Sequence, residues 1–205
     1  MGISIVPQQG HVQEPRTGSA GPLSSAQAPA EGAFALLLFE LRRLPRPDTR
    51  ITTDIEGIVL NRCVLAAVET LTVGEAAIDV AGTENRPVVE ARFQGHDAPA
   101  RAVVAALDVL AGVRRVQRAA ENEFQVVGAL TVGTATETGD GVLVTTGAAD
   151  VLLNRLRERA GPGQILLSED ARAACEEIAE TVPARGVMDT PGEELAQAHV
   201  LRGLR

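Results

Sequence analysis

From residue 33 onward the chain alternates between short apolar runs and longer stretches in which apolar residues return every three or four positions. AFALLLFEL, Ala33 to Leu41, is a continuous apolar run and predicts a buried strand. RRLPRPDTR follows as a loop, since its two prolines bar a helix. Thr53 or Asp54 can cap a helix in which Ile55, Ile58, Val59, Cys63 and Ala66 recur at helical spacing. Ala76–Ala81 and Pro87–Phe93 read as two strands joined by the hairpin loop GTENR. Ala98 to about Ala120 predicts a long Ala- and Val-rich helix, and Phe124–Thr136 a strand with small residues. GDG at 139–141 predicts a turn, after which Val142–Thr145 pairs back. A helix starts at Gly147, and Gly161-Pro162-Gly163 ends it before the strand QILL. Ser168 caps a further helix, and two short strands flank DTPGEE between Pro183 and Leu201.

The resulting order is β-α-β-β-α-β-β-α-β-α-β-β. Its first six elements match the ferredoxin-like β-α-β-β-α-β unit. The expected class is therefore α+β: a ferredoxin-like core with C-terminal additions, a mostly antiparallel sheet, and helices on one face. The other face is left for a ligand or a second copy of the chain. Residues 1–31 are rich in Gly, Pro, Ser, Gln and Ala without an apolar period. They read as a disordered tail or linker with one apolar patch at Ile3–Val6, and the folded domain takes 32–205.

Charge and composition narrow the chemistry. A formal charge of −8 argues against a nucleic-acid footprint. All 19 basic residues are Arg, which excludes a Schiff-base lysine and a phosphate-loop lysine. The three His are isolated and the two Cys far apart, so no zinc spacing or redox pair is present. Four Phe without Tyr or Trp offer little for stacking on bases. No apolar run is long enough to span a membrane, and no secretory signal is visible, so the expectation is a soluble cytoplasmic protein.

Several phrases carry a family resemblance. Gly147, then Val151 four residues on, Arg155 four after that, and AGPGQILLSED follow one another in a characteristic succession. Before them stand DAPARAVVAALDV and VVGALTVGTAT, and after them QAHVLRGL. In this order, over roughly residues 33 to 203, the chain resembles the class III adenylate/guanylate cyclase catalytic domain.

The resemblance implies a chemistry. In such a cyclase two Asp carboxylates hold two divalent metals at the triphosphate; the metals activate the ribose 3′-hydroxyl and neutralise the leaving pyrophosphate. Here the first metal position falls on Glu40, and the second on Thr83 or its neighbour Glu84. Glu is one methylene longer than Asp, and Thr is neutral. The phosphate loop after the first strand, which favours Gly and small residues, reads Arg42-Arg43-Leu44-Pro45-Arg46, with bulky side chains and a donor-less proline. Those arginines either attract an anion or lie solvated. The base-reading Lys position falls near Asp79 or Val80, and its partner on Val144. The ribose-orienting Asn position is Val151; only the Arg that stabilises charge on phosphate is kept, as Arg155. Arg155 equally suits a packed stem with a head paired to Asp150 or Glu158.

Scaffold phrases thus persist while polar site positions are replaced. The expectation is a catalytically degenerate cyclase-like domain acting as a dimerising regulatory, interaction or ligand-sensing module. Val144, Val151 and Leu152 are then expected at or near a closed interface. The alternative is a subunit that lends Arg155 to an intact partner cyclase forming cyclic nucleotide from ATP or GTP. An active homodimer with metals on Glu40 and Glu84, and a ferredoxin-like binding domain unrelated to cyclases, complete the set. No cofactor is expected, with Mg²⁺ or Mn²⁺ entering only with an active site. Expected partners are a second copy or a cyclase-like protein, with a nucleotide as candidate ligand.

Overall fold

The apolar run after Ala33 becomes the middle of the sheet. In the computed structural model, which describes residues 31–43, 53–120, 124–137, 143–145, 147–184 and 198–205, it lies in strand β1, Glu31–Arg43. Its neighbours are β3, Arg86–Gln94, and β4, Phe124–Glu137, both antiparallel to it. A strand paired on both edges and covered on both faces has no polar side to show, which is why its sequence does not alternate. The remaining elements are α1 (Thr53–Val73), β2 (Ala77–Thr83), α2 (Ala98–Ala119), β5 (Leu143–Thr145), α3 (Gly147–Arg159), β6 (Gln164–Leu167), α4 (Glu169–Ala174), β7 (Ala179–Pro183) and β8 (His199–Leu204).

The sheet runs β2-β3-β1-β4-β6-β8-β7, with β5 pairing back on β4. Its first four strands have the ferredoxin-like arrangement, and among the described residues only the β4–β6 pair is parallel. The element order and the mostly antiparallel α+β class are those the sequence leads one to expect. Strand ends differ in two places. Arg42 and Arg43, expected in a loop, extend β1 and pair with Gln125 and Phe124. The seventh strand begins at Ala179, earlier than expected, because α4 is a short helix ending at Ala174. Ser168 caps α4, its hydroxyl accepting from the Ala171 N–H at 3.1 Å. The tail at 1–30, the 139–141 turn, residues 44–52 and the segment around DTPGEE lie outside the described residues.

Two apolar layers follow from the period-two alternation of β1. Ala35, Leu37, Phe39 and Leu41 face α1, α2 and α4, which form the main helical layer on one face. Phe34, Leu36 and Leu38 face the other way and are covered by Ala149, Leu153 and Leu156 of α3. Beyond α3 that second face is open: Asp79 and Ala81 of β2 and Arg92 of β3 are exposed. The next position in the second series of β1 residues, after Leu38, is Glu40.

Candidate functional site

Strand parity puts a carboxylate where apolar residues precede it. Glu40 faces the α3 side and is 1% exposed. It pairs in register with Val88 of β3 and Val127 of β4, so both flanks are strands. A lone buried carboxylate would be costly. Three guanidinium groups prevent that. Arg42, two residues on in the same strand and hence on the same face, donates from an Nη to Oε2 at 3.1 Å. Arg86, at the start of β3, donates from Nε to Oε1 at 2.8 Å. Arg157, near the end of α3, brings an Nη to 3.4 Å from Oε2. Arg42 also reaches the Arg157 carbonyl at 3.5 Å, tying the strand end to the helix end. Burial alone would raise the Glu40 carboxyl; the hydrogen bonds from Arg42 and Arg86, with the charges of Arg42 and Arg157, outweigh it and hold the carboxyl below the usual carboxylate range.

Glu84 takes no part in this cluster. β2 and β3 are joined by the two-residue turn Glu84-Asn85, with Thr83 paired to Arg86 and Gly82 to Pro87. Glu84 is exposed at the tip, and no ion pair or hydrogen bond to it occurs among the described residues. The hairpin delivers Arg86, not a second carboxylate, to Glu40. Gly82 has φ +90°, and a Cβ there would lie 2.3 Å from the Arg86 carbonyl, so the turn that sets Arg86 in place depends on glycine.

The other sequence-derived positions scatter. Arg155 and Val151 lie on the outer side of α3, one turn apart; both are exposed, and Arg155 has an interaction of its own there. Leu152 is half-buried against the α3 layer. Val144 pairs with Thr136 at the far end of β4. Asp79 sits on the open sheet face opposite Glu90, and Val80 on the other face. Arg46 lies outside the described residues.

Arg86 and Arg157 are the residues that sequence reasoning missed. Arg157 had a legible signal. Ala149, Leu153, Leu156 and Ala160 form the buried stripe of α3, and Arg157 flanks it one turn after Leu153, whereas Arg155 points away. Arg86 had none, because its role depends on which hairpin residue turns back over β1.

The donor set does not fit a pair of divalent metals. Such a site needs several free carboxylate oxygens, and a dication beside three guanidinium groups would be repelled. Both oxygens of Glu40 are engaged by arginine, Thr83 is neutral, and Glu84 is at the exposed tip. Among the described residues no group of three or more His, Cys, Asp or Glu side chains is placed to hold a metal. Cysteine chemistry is equally poorly served: burial pushes the Cys63 and Cys175 thiols up to about 11.

The architecture itself has clear counterparts. The chain has the fold of the class III adenylyl/guanylyl cyclase catalytic domain. It is similar to the adenylyl cyclase CyaB from P. aeruginosa, with 14% identity, a TM-score of 0.62, and 86% of this chain matched to 96% of that one. It is also similar to a non-canonical dimeric guanylyl cyclase domain of the RhoGC fusion protein from the aquatic fungus Blastocladiella emersonii, with 14% identity, a TM-score of 0.65, and coverage of 86% and 99%. The guanylate cyclase domain of RhGC from Catenaria anguillulae, solved in complex with GTP, matches with 16% identity, a TM-score of 0.62, and coverage of 86% and 100%. No protein-family model matches the sequence, and no curated protein matches it. At these identities the likeness establishes the fold, and function has to be argued from the site.

Proposed function

We propose that the chain is a catalytically degenerate cyclase-fold domain: a dimerising regulatory or interaction module without cyclase activity of its own. One observation carries this reading. The carboxylate at the first metal position, Glu40, is saturated by Arg42, Arg86 and Arg157. Arginine neutralises phosphate charge but cannot activate a hydroxyl as a metal ion does. The apolar Val151 at the ribose-orienting position and the misplaced Glu84 support the same conclusion. The open sheet face at Asp79, Ala81 and Arg92 is the surface offered to a second chain. The fungal RhoGC domain of this fold has been crystallised both as a non-canonical dimer and as a monomer.

The test is turnover of ATP and of GTP by the purified protein with Mg²⁺ and with Mn²⁺. The expected result is no cyclic nucleotide above the protein-free control. Metal-dependent formation of cyclic AMP or cyclic GMP, lost in Glu40→Gln, would overturn the reading.

A second reading rests on Arg155, which α3 presents at the surface on the same side as Val151. Paired with an intact cyclase, the chain would then supply the phosphate-facing arginine of a composite site. Mixing the two proteins with wild-type or Arg155→Ala chain tests this. An unchanged rate removes the composite-site reading; a loss of roughly a hundredfold, the scale of removing one transition-state donor, supports it.

A further inference from the structure

Among the described residues the cluster at Glu40 holds more positive charge than its carboxylates balance. Arg42, Arg86 and Arg157 converge on one carboxylate. Among the described residues the only other carboxylate within ion-pair distance of any of the three is Glu158, which is exposed and 3.6 Å from Arg157. Arg42 and Arg157 keep only 23% and 20% of their side-chain surface in contact with solvent. The Nε of Arg157 is buried without a hydrogen-bond partner, while that of Arg42 lies 3.0 Å from Glu40 Oε1. Arg86, by contrast, is 59% exposed at the mouth of the cluster, beside the open face of β2 and β3. Cationic charge held partly out of water favours an anion that offsets it. Guanidinium groups are planar forks that match phosphoryl oxygens, and here three of them are held in place by one fixed carboxylate.

We propose that Arg42, Arg86 and Arg157 form a phosphoryl-anion site that works without a divalent metal, with Glu40 as the counter-charge that positions the three arginines. This rests on the reading that Glu40 is not a metal ligand. It adds what the altered site is for: the arginines take over charge neutralisation and orientation of a phosphate chain, while nothing in the cluster can deprotonate a hydroxyl. The ligand chemistry is a condensed phosphate, supplied either by an inorganic polyphosphate or by a nucleoside triphosphate.

The experiment is calorimetric titration of the full chain in EDTA with pyrophosphate, inorganic triphosphate, ATP and GTP. Saturable binding of at least one of them without metal is expected, weakening as salt is raised. Tighter binding of inorganic triphosphate than of ATP supports the site and identifies an inorganic source, and equal affinity supports it and shows that the phosphate chain alone is read. Tighter binding of ATP or GTP supports it and identifies a nucleotide. Arg86→Ala, at a side chain that is 59% exposed, should weaken binding by about tenfold or more, because one charge-assisted contact is lost. Glu40→Gln should still bind without metal, since the arginines and not the carboxylate contact the phosphate.

Absence of binding to the folded wild-type chain in EDTA, or binding indifferent to Arg86→Ala, would overturn the anion site and leave the non-catalytic assignment standing. Binding that requires Mn²⁺ and disappears in Glu40→Gln would overturn both.

Discussion

Among the described residues Glu40 is the most buried charge, and its titration should be visible in stability. Its folded-state carboxyl is held below the usual range, so the ion pairs contribute fully above the unfolded value of about 4.3 and are lost as pH falls through the folded one. Urea unfolding between pH 7 and pH 3 should therefore show wild-type stability falling more steeply in acid than that of Glu40→Gln; parallel curves would contradict the ion-pair account. At pH 7, Glu40→Gln leaves partly buried guanidinium groups without their counter-charge and should cost on the order of 2 kcal/mol, less than a fully buried pair because Arg86 is solvated. The buried cysteines make a separate expectation at this scale. With both thiols pushed up to about 11, Cys63 and Cys175 should react with a thiol reagent at pH 7 only as fast as the chain opens, and rapid labelling of either in native buffer would contradict their placement.

Among elements, the β2–β3 hairpin matters most, because it sets where Arg86 falls. Gly82→Ala forces a side chain into a positive-φ position and onto the Arg86 carbonyl. It should cost more than about 1 kcal/mol and loosen the Arg86–Glu40 contact. Thermal unfolding measures the cost, and a variant as stable as wild type would mean that the turn has another geometry. How far these elements were legible depended on what each side chain answers to. Long periodic segments such as α2, and apolar runs such as Phe34–Leu41, answer to burial and declare themselves. Glu40 could be placed at a metal position only through the family resemblance. Parity alone puts it on the same face as Leu38 and Arg42, so the strand pairing with Arg42 was open to reading, yet the prolines that follow pointed to a loop. The helix period likewise separates Arg157 from Arg155, but the resemblance draws attention to Arg155. Arg86 answers to a long-range turn geometry, which no local pattern encodes.

For the whole molecule, one layer of helices is packed away on α1, α2 and α4, while the α3 side carries both the Glu40 cluster and an exposed stretch of sheet. A second chain seated there would cover Asp79, Ala81 and Arg92. Sedimentation equilibrium should show a concentration-dependent dimer that weakens when Ala81, an exposed small residue on that face, is changed to Arg; a dimer indifferent to Ala81→Arg would place the contact elsewhere. The claim at the centre of this account is that guanidinium groups stand where a cyclase of this fold would hold its metals. Its most direct test is an anomalous-difference map from crystals grown with Mn²⁺ and a non-hydrolysable nucleoside triphosphate. The expected result is no anomalous peak at coordination distance from the Glu40 carboxylate, with the three arginines closed around it. A Mn²⁺ peak bonded to Glu40, with Arg42, Arg86 and Arg157 swung away, would contradict it.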